Sequence, residues 1–177
     1  MAAESYGSVA KWFHWITVGL MAVALPFGFV IKYVKDDAKM AFYAIHESAG
    51  LLILFVAIAR LAWRLRNPPP PHPADLPKPM RVAATAVHHS LYGAMILQPI
   101  LGFFMTNAWG FPMRDATAFL GFIHQPAFMA QNVPLAQALQ AAHTAVAYAI
   151  VALLVLHIAA VVYHQAIRKD GTLLRMV

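Results

Sequence analysis

From Leu139 to His164 the chain reads LQAAHTAVAYAIVALLVLHIAAVVYH, with no Lys, Arg, Asp or Glu. A stretch of that length and apolarity spans the roughly 30 Å hydrocarbon core of a bilayer as one helix. Three comparable stretches precede it, at about 9–31, 42–63 and 83–106. Lipid offers backbone N–H and C=O groups no partner, so each stretch must satisfy them internally. The predicted fold class is therefore all-α: an integral membrane four-helix bundle forming a single domain over residues 1–177. Composition agrees, with 61% hydrophobic and 11% charged residues, where a soluble domain is nearer a quarter charged. The chain has no cysteine, which excludes structural disulfides, thiolate-held iron–sulfur clusters and covalent haem attachment. A net charge of +6 does not call for a nucleic-acid partner, because basic residues in such a protein mainly mark the cytoplasmic side.

The connections set the topology. Lys32 to Lys39 form a short polar turn, and the run NPPPPHPADLPKPMR after the second stretch reads as a stiff polyproline strap. The third connection, about 107–137, contains Trp109, Phe111, Phe119, Phe122 and Phe128. A loop of that length without structure is unusual, so a short helix on the membrane surface, lying as a lid over helix ends, is expected there. Pro26 and Pro99 fall inside spans and predict local kinks. Of the 13 basic residues, Lys11, Arg60, Arg64, Arg66, Lys78, Arg81, Arg168, Lys169 and Arg175 fall on one side. Lys32, Lys35, Lys39 and Arg114 fall on the other, where Asp36, Asp37 and Asp115 dilute them. The positive-inside rule then makes both termini and the strap cytoplasmic, in a bacterial inner-membrane, multi-pass arrangement.

The histidines carry the chemistry. His143, His157 and His164 are fourteen and then seven residues apart, so at 100° per residue they share one face of the last helix. His143 and His157 lie about 21 Å apart along its axis. Ionisable groups inside a span are costly and usually functional. His46, near the outer start of the second helix, matches the depth of His143; His14, near the inner start of the first, matches His157. Two bis-imidazole pairs, one above the other, meet the requirement for two b-type haems with iron held by His14, His46, His143 and His157. With both axial positions taken by protein, such centres suit electron transfer rather than oxygen binding. A metal transporter would mix in carboxylates, and Glu47 is the sole acidic residue within the apolar spans.

His88 and His164 fall at the cytoplasmic ends of their helices, with Lys78 and Arg81 nearby on the strap. Such a basic, protonatable cluster suits a quinone head group, which needs hydrogen-bond donors and protons on reduction. Interfacial side chains reaching lipid head groups would produce the same pattern. His89, His72 and His124 read as turned away or solvated, and Trp12, Trp15, Trp63 and Trp109 as an aromatic belt.

The segments SVAKWFHW, IHESAGLLILFVAIARLAWRL, PKPM and HHSLYGAMILQPILGFFM, the pair His143 and His157, and the ending KDGTLLRM resemble the bacterial cytochrome b561 family, closest to its stand-alone superoxide oxidase members. The resemblance implies two haem b groups on His14, His46, His143 and His157, and ubiquinone as electron acceptor near His88 and His164. It also implies oxidation of superoxide to oxygen at the periplasmic side, with no obligatory protein partner. The alternative is a cytochrome b subunit of a larger respiratory dehydrogenase or hydrogenase complex, which takes electrons from a docked protein.

Overall fold

The computed structural model describes residues 5–73 and 75–177, apart from the side chain of Asp36. Residues 1–4 of the expected single domain, Ala74 of the strap and the expected charge dilution by Asp36 lie outside that description. Four long helices carry the described chain: α1 (Ser8–Val30), α2 (Asp36–Arg66), α3 (Lys78–Ala108) and α4 (Val133–Tyr163). Each is long and apolar enough to cross a membrane. The helices α2 and α3 extend beyond the apolar stretches at both ends, and α4 starts six residues early. Asp37, Lys39, Arg64, Arg66, Lys78 and Arg81 fall in the extensions of α2 and α3. α3 starts on Lys78-Pro79, where proline's missing N–H costs nothing. Asn132 caps α4, its side-chain oxygen accepting from the Leu135 N–H at 3.1 Å. Pro26 and Pro99 sit inside α1 and α3 without interrupting either helix.

Packing is uneven. α1 lies along α2 and α3 along α4, with α2 joining the two pairs. Ala24, Ala49 and Ala57 let backbones approach, and Met21, Ile53, Leu91, Met95 and Ile150 fill the middle. Although α4 is the most apolar span, it buries only Ala136 and Ile150. It therefore stands off from α1 and α2 over most of its length, and the space left is where the histidines project.

Two connections differ from expectation. No surface helix forms in the third connection. Its regular structure is a single turn of 3-10 helix at Asp115–Thr117 and a tight turn closed by an antiparallel bridge between Phe119 and Ile123. Asp115 and Leu120 adopt positive φ there, with Gly110 and Gly121, which breaks any helical run. At the other end α4 widens into a π turn at His164–Arg168, and Lys169 at φ 52° reverses the chain. The tail then folds across the ends of α1 and the strap. The Tyr6 N–H donates to Arg175 O, Trp15 Nε1 to Met176 O, and the buried Arg175 side chain to Pro71 O.

Candidate haem-binding site

The structure brings the four span histidines into two pairs. The rings of His46 and His143 face each other with centroids 6.2 Å apart, and those of His14 and His157 are 6.3 Å apart. At a metal–imidazole bond of about 2.0–2.1 Å, two rings bound on opposite sides of one ion have centroids roughly 6.3 Å apart. Both pairs therefore have the separation of a bis-imidazole centre. Among the described residues no cluster of three or more His, Cys, Asp or Glu side chains is placed to hold a bare ion.

The outer pair, at the end away from the termini, is oriented by backbone. His46 Nδ1 lies 2.8 Å from Ala24 O and His143 Nδ1 lies 3.0 Å from Gln98 O. A carbonyl only accepts, so each Nδ1 carries the hydrogen and each Nε2 presents a lone pair to a metal. Four residues along the same helices sit Gly28 and Gly102. A Cβ at Gly28 would fall 2.6 Å from His46 Cε1, and one at Gly102 3.0 Å from His143 Cε1. Each ring is thus seated on a carbonyl and a glycine of the neighbouring helix. Sequence reasoning missed both seats, because a backbone carbonyl and a glycine four residues on carry no side-chain signal.

Beside this pair a cavity of about 1020 Å³ opens, lined by His46, His143, Lys32, Lys39, Arg114 and Asp115 among others. That volume lies at the upper end for small-molecule and cofactor sites. Glu47 Oε2 and Gln98 Oε1 are buried on its wall without a hydrogen-bond partner. Orphaned acceptors of this kind are what a bound group with its own donors would satisfy.

The inner pair is more crowded. His88 packs edge-on against His157 at 5.3 Å, too close for those two to bind one ion from opposite sides. Arg60 Nη2 approaches His14 Nδ1 at 3.4 Å while its guanidinium lies over Tyr92 at 5.1 Å. Sequence reasoning used Arg60 only as a topology marker. Its place fourteen residues after His46, the same interval as His143 to His157, was the available signal.

His164 does not join His88: among the described residues no hydrogen bond or ring contact links them. Its Nδ1 lies 2.6 Å from Asp170 Oδ2, a carboxylate also held by Arg168 Nε and Thr172 Oγ1. His164 keeps the helical register of α4, its N–H on Ala160 O, and the π turn that starts there brings the tail back to supply the partner. Arg81 Nε donates to Leu76 O at 2.8 Å and so ties α3 to the strap, whereas Lys78 is exposed at the start of α3.

A membrane helical bundle with stacked imidazole pairs is the architecture of a membrane cytochrome b. The sequence matches the profile of prokaryotic cytochrome b561 over residues 5–177, and the chain belongs to that family. It is 31% identical to cytochrome b561 homolog 2 of Escherichia coli K12, over 98% of this chain and 92% of the relative. It is also 31% identical to the probable superoxide oxidase CybB of Yersinia pestis, over 98% and 96% respectively. Cytochrome b561 homolog 1 of Escherichia coli K12 is 27% identical over 93% and 92%. The family binds haem b, and the chain is a multi-pass membrane cytochrome b with an electron-transfer role.

Proposed function

We propose that this cytochrome is a superoxide oxidase: it takes single electrons from superoxide at its periplasmic end and delivers two of them in turn to each ubiquinone at its cytoplasmic end. The observation that carries this reading is the outer cavity, where Lys32, Lys39 and Arg114 share a wall with the His46–His143 pair. Cations around a cleft raise the local concentration and encounter rate of a small anion. When bound, two b haems supply reversible one-electron steps at the two depths. His46 and His143 would hold the outer haem, and His14 and His157 the inner one. The Ala24 and Gln98 carbonyls hold the outer imidazoles in the tautomer whose Nε2 would be free to bind iron, and two histidines on each iron would suit it to electron transfer. Two superoxide ions yield two oxygen molecules and two electrons; ubiquinone takes those electrons with two protons to become ubiquinol.

The quinone end is assigned to the region of His88, His164, Lys78 and Arg81. Both imidazoles remain in this proposal, and the Asp170 carboxylate at His164 Nδ1 supports His164 as the proton donor. The test uses purified protein in lipid nanodiscs with both haems, ubiquinone and an enzymatic superoxide source. Superoxide should produce sharp reduced α bands that decay as ubiquinol accumulates. Haems that stay oxidised under superoxide yet reduce with ubiquinol would point to a subunit working with another protein, and would overturn the reading.

A further inference from the structure

The turn from Ala116 to Ile123, in the connection between α3 and α4, is apolar apart from Thr117 (ATAFLGFI) and flanked by Arg114-Asp115 before and His124-Gln125 after. It does not lie over the helix ends. The Leu120 N–H donates to Ser48 Oγ at 3.0 Å, and the Phe119 ring meets that of Phe55 at 6.4 Å. Ser48 is six residues along α2 from Phe42, where its apolar part begins, so about 9 Å below that boundary. The turn therefore reaches past the level of His46.

Its backbone is unusual for a loop. Every N–H from Thr117 to Ile123 has a protein acceptor. Thr117 donates to Arg114 O, Ala118 to Asp115 O, Phe119 to Ile123 O, Gly121 to Ala118 O, and Phe122 and Ile123 to Phe119 O, with Leu120 on Ser48. A loop in water has no need of this, because water satisfies exposed donors. In hydrocarbon each unsatisfied donor costs several kcal/mol, and irregular backbone is tolerated at that depth only where it packs on protein or lines a cavity, as this turn does. The side chains divide accordingly. Thr117, Ala118 and Phe119 are buried against the bundle, while Leu120, Phe122 and Ile123 are 45%, 68% and 41% exposed. That outward face continues the lipid-facing surface of α2, where Phe55 and Ile58 are also exposed.

We infer that residues 116–123 form a wedge inserted among the acyl chains of the leaflet at the α3–α4 loop end. Ala116 and Thr117 line the outer cavity on the other side, so the wedge is the wall between that cavity and lipid. The inference holds whichever electron donor and acceptor the haems serve.

The absence of cysteine permits a direct test with single spin-labelled thiols. Phe122→Cys and Ile123→Cys report the wedge, Lys35→Cys the aqueous surface of the same end, and Phe55→Cys the lipid face. Each variant, in nanodiscs of phosphatidylcholine and phosphatidylglycerol holding one copy, is measured for collision with oxygen and with a water-soluble nickel chelate. Positions 122 and 123 should match Phe55→Cys, with nickel collisions several-fold below those at Lys35→Cys and oxygen collisions high. Nickel access equal to that at Lys35→Cys would place the turn in water. Protection from both reagents would mean burial against protein. Either result overturns the wedge.

Discussion

Arg60 and Gly28 act on the two histidine pairs in different ways. A guanidinium 3.4 Å from the His14 ring places positive charge beside the inner pair, and a cation disfavours the more positive, oxidised form of a nearby iron. Arg60→Gln should lower the inner haem's midpoint potential by on the order of tens of millivolts in a redox titration, leaving the outer one nearly unchanged. An unchanged inner potential would mean the charge is screened. Gly28 acts by space alone. Gly28→Val would drive carbon into the His46 ring and should displace the outer imidazole, so that a haemochrome assay finds the outer haem lost and the inner one retained. His143→Ala should give the same loss. Gly93→Ala, which meets nothing within 4 Å, is the control and should leave both haems bound and the fold unharmed, since Ala is the better helix former. The sequence showed the four histidines because a span tolerates few polar residues. It hid the seats because a carbonyl and a glycine have no distinctive side chain.

The tail from Lys169 to Val177 is tied back by the Asp170 carboxylate as well as by its hydrogen bonds to Tyr6, Trp15 and Pro71. Burial would raise the Asp170 carboxyl, but hydrogen bonds from Thr172, His164 and Arg168 outweigh it and hold Asp170 well below the usual carboxylate range. A carboxyl depressed in the folded state contributes stability that is fully present above its unfolded value, near 3.9, and is lost as pH falls toward the folded one. The tail should therefore stay docked on acidification through about pH 4. Protease accessibility of the segment after Tyr163, followed against pH, checks this. Asp170→Asn should expose the segment at every pH, leaving Arg168 with its partner Asp75 and His164 without its own. Early release of the parent's tail, near pH 6, would show that Asp170 does not govern docking. None of this was legible beforehand, because helical spacing cannot anticipate a π turn followed by a left-handed residue.

The two ends of the described chain and the described part of the proline strap lie at one end of the bundle, which follows from an even number of crossings. Which side of the membrane that end faces rests on the basic residues, nine against four. A reporter fused after Val177 should work only if it is active in the cytoplasm. Activity of a periplasm-dependent reporter there would reverse the orientation and move the cationic cavity to the cytoplasmic side. The same fusion placed near Lys35 should behave oppositely.

Apolar length and the scarcity of ionisable side chains fixed four spans, their alternation and the depth of each histidine, because lipid penalises every other arrangement of backbone and charge. Those constraints were local and therefore readable along the chain. Packing decided the rest. It put His46 on the Ala24 carbonyl, set Arg60 against His14, turned His164 away to Asp170 and sent residues 116–123 down the side of α2. Each of these joins residues far apart in sequence, through groups whose partner is set by how the helices lie against one another. No local periodicity encodes that.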